Sequence, residues 1–480
     1  MKRTPFFNVP TNYLNILSLC LMIAFLSSCT NELTEDLNAN LDQEEITQNS
    51  VALSRSSGQY VGAVYAMSNG DGQVPGTVQG ANTVVVYGRN ADGTLDLLNE
   101  YPTGGRGGDF DGGEGIDPLI SAYALLKSSD NRFLFAVNAG SNTVTTFRIN
   151  ADFSLTKTDE TYTQGTGPNS IAYHSRTRLL YVSNIDDDGV FNGEPDQEGN
   201  IVGFRVAGNG TLRPIGASKR KLDGRPSAIQ FSPDGTRIVV AMINSGSIAL
   251  ESDSQDELVS YTIRRGGWPS FNPTGRGTST LRDNRAGRNL PSAIGFDIVN
   301  RGGTDYVFVT EAREFQADGT PPAFPALQTG SVSVFRLNRS GRLDRVQFDV
   351  LAENGRGLNG SRTACWIATH KTENFFYVSN ALEATISTYK FNDRGKIELV
   401  TADATGGVGN GAVSPNPQIA FGETEAWIDL WISDDGKYLY QLFGKTGTIG
   451  VFRVNGAQLE YIESVSGVLP EDNVQGIVAL

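Results

Sequence analysis

Short apolar runs, each closed by polar turn residues, recur along the 480-residue chain. Asn131-Arg-Phe-Leu-Phe-Ala-Val-Asn138 is followed by Asn142-Thr-Val-Thr-Thr-Phe-Arg148, and Leu179-Leu-Tyr-Val-Ser-Asn184 by Asn200-Ile-Val-Gly-Phe-Arg205. Phe375-Phe-Tyr-Val-Ser-Asn380 with Thr385-Ile-Ser-Thr-Tyr-Lys390 repeats the phrase. Looser copies lie at Arg237–Met242 with Glu257–Ile263, Tyr306–Glu311 with Ser331–Arg336, and Tyr438–Phe443 with Thr448–Arg453. Repeats of this size in β-rich sequence predict a propeller.

Each repeat resolves into four strands, A to D from the axis outward. Strand A is a phrase such as Ser227-Ala-Ile-Gln-Phe231, ending in a turn such as Ser232-Pro-Asp-Gly235. Strands B and C are the apolar and Thr/Val-rich runs, and turns such as Asn90-Ala-Asp-Gly93 lead to D. Such Asn/Asp-Gly turns supply the left-handed backbone that tight hairpins need. Full sets start near 117, 167, 224, 290, 362 and 427. The chain opens with B at Tyr60–Ser68, C at Asn82–Tyr87 and D at Leu95–Tyr101, with no A before them. Val474-Gln-Gly-Ile-Val-Ala-Leu480 is expected to supply it, which makes an all-β, seven-bladed propeller of four antiparallel strands per blade over 58–480. Closure by the C-terminus hides the edge strands that an open sheet would expose.

In a propeller the A–B and C–D turns share one face, and the B–C and D–A connections the other. Nearly all A–B and C–D turns here read as two to five residues. The long segments read as B–C connections (69–82, 185–199, 244–256, 312–330) and D–A connections (102–118, 266–290, 347–361, 402–426). They fall on one face, and long loops over a rigid scaffold favour a ligand site there, at the channel mouth. The two histidines, His174 and His370, occupy the Ser232 position of the A–B turn, so they belong to the opposite face.

Composition narrows the partners. A formal charge of −14 argues against phosphate-backbone binding, which needs clustered Lys and Arg, so no nucleic-acid partner is expected. The 55 glycines suit many strands joined by tight turns. Lys2 and Arg3 followed by apolar Leu14–Leu26 read as a signal peptide over 1–28, too short for a comfortable membrane span. Leu26-Ser27-Ser28-Cys29 resembles the lipobox of bacterial lipoproteins, in which the cysteine is acylated and becomes the new N-terminus. Residues 29–57 read as a flexible acidic tether. The expected place is therefore the cell envelope, lipid-anchored at the outer membrane on its periplasmic or surface side. Cys20 leaves with the signal and Cys29 takes the lipid, so Cys365 has no disulfide partner; its phrase Ala364-Cys365-Trp366-Ile367 reads as a buried thiol in a strand.

Leu134-Phe-Ala-Val-Asn-Ala-Gly-Ser-Asn-Thr-Val144, Gly167-Pro-Asn-Ser170, Phe231-Ser-Pro-Asp-Gly235 and the closing Gly467-Val-Leu-Pro470 with Gly476-Ile-Val-Ala-Leu480 resemble the seven-bladed lactonase family. That family includes propeller-type 6-phosphogluconolactonases and carboxymuconate-cyclising enzymes. The resemblance spans roughly 60–480 and implies lactone chemistry on an acidic sugar or dicarboxylate, without a cofactor. Family members often carry His after the Gly-Pro that opens strand A. This chain has Asn169 after Pro168 and Ser227 after Pro226 instead.

Lactone chemistry needs arginines for the anion and a group that moves a proton. Glu311 is the candidate acid/base, with Arg313 and Arg362 clamping the anion. Arg225, Asn138, Asn169, Asn184 and Asn380 are the candidate binding residues. The structural alternative has Arg–Glu pairs tying blades together and asparagines capping strand ends. No metal site is expected. The acidic inserts Gly108–Asp117 and Asp186–Glu198 lack the spacing of a calcium loop and read as solvated. Two functions follow: a lipid-anchored lactonase-like enzyme on a small acidic substrate, or a non-catalytic propeller binding a small ligand, an envelope glycan or a protein.

Overall fold

The computed structural model describes residues 60–70, 81–109, 117–186, 198–243, 256–278, 292–312, 330–352, 363–381, 384–406 and 426–480. The signal peptide, the tether, Cys29, Arg313, Arg362 and most of both acidic inserts lie outside these residues. The described strands form seven antiparallel sheets, each of the four-stranded blade type. Their innermost strands are Ile477–Ala479, Leu125–Lys127, Thr166–His174, Arg225–Phe231, Ser292–Arg301, Ala364–Thr369 and Trp427–Ile432, for blades 1 to 7. Each packs on the next and the last on the first, so the ring is closed.

Blade 1 is assembled from both ends of the chain. Ile477–Ala479 pairs with Gly62–Met67 (Val64↔Ala479, Tyr65↔Val478, Ala66↔Ile477), followed by Thr83–Arg89 and Leu95–Pro102. The expected C-terminal closure and the seven-blade count are borne out.

Burial follows from radial position. Strand B has a neighbouring blade on each face, so Gly62–Met67, Phe133–Asn138 and Tyr438–Phe443 are buried at every position. This is why these strands read as continuous apolar runs rather than alternating ones. Strand D lies at the rim, and Leu95–Pro102 accordingly mixes buried and exposed positions. Inter-blade contacts include aromatic pairs, such as Phe308 of blade 5 with Phe376 of blade 6 at 5.0 Å and Phe135 of blade 2 with Tyr173 of blade 3 at 4.9 Å between centroids.

Two elements depart from expectation. In blade 4, strand D is Gly275–Thr278, so residues 263–274 are a C–D connection on the short-turn face and not the start of a D–A insert. In blade 2, the inner strand starts at Leu125 rather than near 117, because Ile120 (φ 47°) and Tyr123 (φ 67°) are left-handed and break the extended run.

Candidate functional site

The inner strands carry a shared irregularity. The A–B register slips at Pro168/Ser170, Pro226/Ala228, Ala293/Phe296, Ala364/Trp366 and Trp427/Leu430. A bulge re-aims the extra residue, and here polar groups near it tie one blade to the next. Ser121 Oγ donates to the Asn169 carbonyl at 2.8 Å, Asn169 Nδ2 to the Pro226 carbonyl at 2.7 Å, and Ser227 Oγ to the Ala293 carbonyl at 2.7 Å. Thr310 Oγ1 donates to the Cys365 carbonyl, and Ser379 Oγ to the Trp427 carbonyl. Gln475 completes the circuit, its Nε2 lying 2.9 Å from both the Ser121 carbonyl and Asp429 Oδ2. This polar belt runs through all seven blades. Asn169 and Ser227, the two positions where the family often has histidine, are both members and fully buried.

The candidate asparagines occupy equivalent ends of strand B and are also fully buried. Asn138 Nδ2 donates to Thr143 and Thr145, while its Oδ1 accepts from Asn82 and Thr103 of blade 1. Asn380 Nδ2 donates to Thr385 and Ser387, and Asn184 Nδ2 to Asn200 Oδ1. Their amides cap strand ends and bridge strands. Glu311 holds the same position in blade 5 and is fully buried, with the Ser331 and Ser333 hydroxyls donating to its two carboxylate oxygens. Arg225 opens strand A of blade 4 and is 6% exposed. Arg313 and Arg362, the expected anion clamp, lie outside the described residues.

Side chains cross the axis. Tyr123 of blade 2 reaches blade 5, its hydroxyl 2.7 Å from the Phe296 carbonyl and 3.1 Å from Asp297 Oδ1. Trp366 Nε1 of blade 6 donates to the Ser121 carbonyl at 2.9 Å. The space left between Tyr123, Trp366, Asp429 and Trp431 is a cavity of about 10 Å³, room for about one water. Burial first, then the nearby Asp297 carboxylate, push the Tyr123 hydroxyl well above the ordinary tyrosine range, so it stays protonated as a donor.

On the short-turn side of this plug the axis opens into a cavity of about 570 Å³. Its floor is built around Asp297. Gln230 Nε2 reaches Oδ1 at 3.2 Å, beside Tyr123, and Thr369 N and Oγ1 donate to Oδ2 at 2.9 and 2.8 Å. Tyr173, Phe231 and Trp431 line the walls, and Arg176 and Lys371 stand among the lining residues. The Lys371 ammonium lies 5.7 Å over the Trp431 ring, and the Trp431 indole N–H is buried without an acceptor. No stretch of sequence announced this cavity, since its residues come from six different blades.

The histidines sit in the A–B turns, as expected. His370 Nδ1 accepts from Glu373 N at 2.9 Å, so its Nε2 carries the proton that meets the Gly436 carbonyl of blade 7 at 3.0 Å. His174 is arranged alike, with Thr177 at Nδ1 and the Pro233 carbonyl of blade 4 at Nε2, and burial lowers its pKa. A Cβ on Gly235 (φ 72°) would lie 2.3 Å from the His174 ring, so the turn of blade 4 must be glycine for the two turns to pack. Both imidazoles act as struts between blades.

The fold is that of a seven-bladed propeller. Residues 78–198 match the family model described as lactonase, 7-bladed beta-propeller, and the resemblance read from the sequence is borne out there. No curated protein matches the chain. Among solved structures, a putative 6-phosphogluconolactonase from Bacteroides fragilis is similar at TM-score 0.53 and 14% identity, covering 87% of this chain and 97% of its own. A periplasmic gluconolactonase from Pseudomonas aeruginosa is similar at 0.53 and 15%, covering 86% and 98%. A Lactobacillus plantarum protein is similar at 0.55 and 13%, covering 87% and 98%. At these identities the likeness is one of fold. Among the described residues, no helix is long and apolar enough to cross a membrane.

Proposed function

We propose that this chain is a binding propeller of the lactonase type, holding a small carboxylic acid, of the sugar-acid or lactone-forming kind, in the axial cavity of the short-turn face. One observation carries the reading. The cavity's own carboxylate, Asp297, is filled by protein donors, whereas the other charged side chains among its lining residues are the cations Lys371 and Arg176. A wall of that kind selects an acceptor-rich, anionic ligand, and the aromatic side chains suit its carbon skeleton. The plugged axis also favours binding over passage or turnover through the channel. Lipid anchoring through Cys29 would hold the propeller at the cell envelope. The Leu26–Cys29 phrase supports that placement, as does the periplasmic location of the Pseudomonas aeruginosa neighbour.

Calorimetric titration with gluconate is expected to show saturable binding that glucose does not reproduce. Lys371→Ala is expected to weaken it by about tenfold, the worth of one charge-assisted contact. Equal affinity for gluconate and glucose, or an unchanged Lys371→Ala variant, would overturn the assignment.

A hydrolytic reading is favoured by the family match and by the names of two neighbours. It assigns Glu311 as acid/base, Arg313 and Arg362 as the anion clamp, and Arg225 with Asn138, Asn169, Asn184 and Asn380 as binding groups. In a screen of sugar lactones and muconolactones, the expected result is no turnover that depends on Glu311. Hydrolysis that is lost in Glu311→Gln would install the enzymatic reading in place of the first.

A further inference from the structure

A second hollow of about 500 Å³ adjoins the axial cavity on the short-turn face. Its walls come from the A–B turn of blade 4 and from the A–B and C–D turns of blade 5. The two cavities have Arg176 and Pro233 in common. Arg176 Nη2 donates to the Asp234 carbonyl at 3.0 Å, which holds this guanidinium across the boundary between blades 3 and 4, in the shared wall. Each cavity falls within the range of about 300–1,000 Å³ typical of small-molecule sites, so together they offer more room than a six-carbon acid needs.

The second hollow differs from the first in chemistry. No aromatic side chain lines it among the described residues. Most of its charges are matched to one another. Arg237 Nη2 lies 2.8 Å from both Asp234 Oδ2 and Asp305 Oδ2, and Arg336 Nη2 lies 2.7 Å from Asp344 Oδ2. With those arginines engaged, the hollow does not call for a second anion.

Neutral hydrogen bonding is what remains. The Asn300 and Asn338 Nδ2 groups donate to Asp305 Oδ1 and Asp344 Oδ2, at 2.6 Å each. That fixes both amides and leaves each Oδ1 an acceptor with no partner among the described residues. The Thr304 hydroxyl lines the same wall, and the Arg339 guanidinium, in no ion pair among the described residues, adds donors. At Gly303, in the same wall, an added Cβ would meet nothing within 4 Å, so the floor is open there. Acceptors and donors side by side match hydroxyl groups, which both donate and accept.

Resting on the axial assignment, we propose that the two cavities form one trough for a glycosylated sugar acid. The acid unit lies at Lys371 and the aromatic walls of the axial cavity. An uncharged sugar unit lies between Asn300, Thr304, Asn338 and Arg339, with Arg176 at the junction.

Calorimetric titration of the purified protein with lactobionate, a galactosyl-gluconate, tests this against gluconate and lactose. Lactobionate is expected to bind about tenfold more tightly than gluconate, from the added hydrogen bonds, and lactose much more weakly than either. Thr304→Ala/Arg339→Ala should remove most of that gain and leave gluconate affinity unchanged. Neither side chain holds another part of the described structure, so the variant should melt at the wild-type temperature. Gluconate bound through Lys371 as tightly as lactobionate would overturn the trough and leave the axial assignment standing. A gain that survives in Thr304→Ala/Arg339→Ala, or lactose binding equal to lactobionate, would also overturn it. Failure of both acids to bind would remove the axial assignment together with the trough.

Discussion

Deletion of Val474–Leu480 is expected to abolish the folded propeller. The segment supplies the inner strand of blade 1, and Val474, Ile477, Val478 and Ala479 are 2% exposed or less. Burial of the three larger side chains is worth roughly 1.5–3 kcal/mol each. Backbone bonds from Leu480 N to the Ala63 carbonyl (2.9 Å) and from Met67 N to the Gly476 carbonyl (3.0 Å), with Arg89 Nε to the Leu480 carbonyl (3.2 Å), add about 1 kcal/mol apiece. Together with the broken belt at Gln475, the loss is on the order of 10 kcal/mol, comparable to the whole stability of an ordinary domain. The deletion also exposes the apolar strand Gly62–Met67 as an edge. The truncated protein should elute as aggregate and show no cooperative melt. Ile477→Ala, a partial version, should lower stability by about 2–5 kcal/mol. A monomeric truncated protein with the wild-type melting temperature would show that the C-terminal strand does not close the ring.

The second large effect is a pH dependence centred on Asp429. Its carboxyl is buried at the seam between blades 7 and 1, and burial raises its pKa to about 7, against the partial relief of bonds from Gly476 N (2.7 Å) and Gln475 Nε2 (2.9 Å). A carboxyl whose folded pKa exceeds its unfolded value of 3.8 favours folding most when protonated in both states. Its contribution is therefore full below about pH 4, falls as pH rises, and is lost above about pH 7. The interval corresponds to about 4 kcal/mol. Other carboxyls pull the opposite way: hydrogen bonds from Arg336 and Asn338 lower Asp344 to about 2, a contribution lost only in strong acid. The variant isolates the seam. In denaturant melts between pH 4 and 8, wild type minus Asp429→Asn should drop by several kcal/mol with rising pH, mostly above pH 5. Parallel curves would remove Asp429 as the titrating group.

Much of this architecture could be read from residue patterns, and the reasons are local. A strand between two blades must be apolar on both faces, so Phe133–Asn138 and Phe375–Asn380 stand out as unbroken runs. Val474–Leu480 could be assigned to blade 1 because the first repeat lacked an inner strand while the last residues supplied one. Strand D of blade 4 could not be read. Gly275-Arg-Gly-Thr278 has no strand signature; it is a strand because it pairs with strand C of its own blade, and its glycine is needed because blade 5 presses close, a Cβ on Gly275 lying 2.3 Å from the Gly341 carbonyl oxygen. That misplacement hid the C–D connection 263–274. The candidate site was legible as residue types but not as roles. Asn138, Asn184 and Asn380 are polar residues at the ends of B strands, a pattern that suits ligand binding and strand capping equally.

The sequence by itself determined the all-β class, the seven-fold repeat, the closure by the last strand and the placement of both histidines among the short turns. Each of these follows from periodicity and turn chemistry, which act over a few residues. Only the tertiary structure decided what happens at the axis, where side chains far apart in the chain converge. Tyr123 reaches Asp297 across the channel, and Trp366 meets Ser121, because a left-handed break at Tyr123 turns blade 2 inward. Such convergence depends on how seven sheets pack around a common centre, and that packing carries no local signature. The same holds for the axial cavity, whose lining is gathered from six blades.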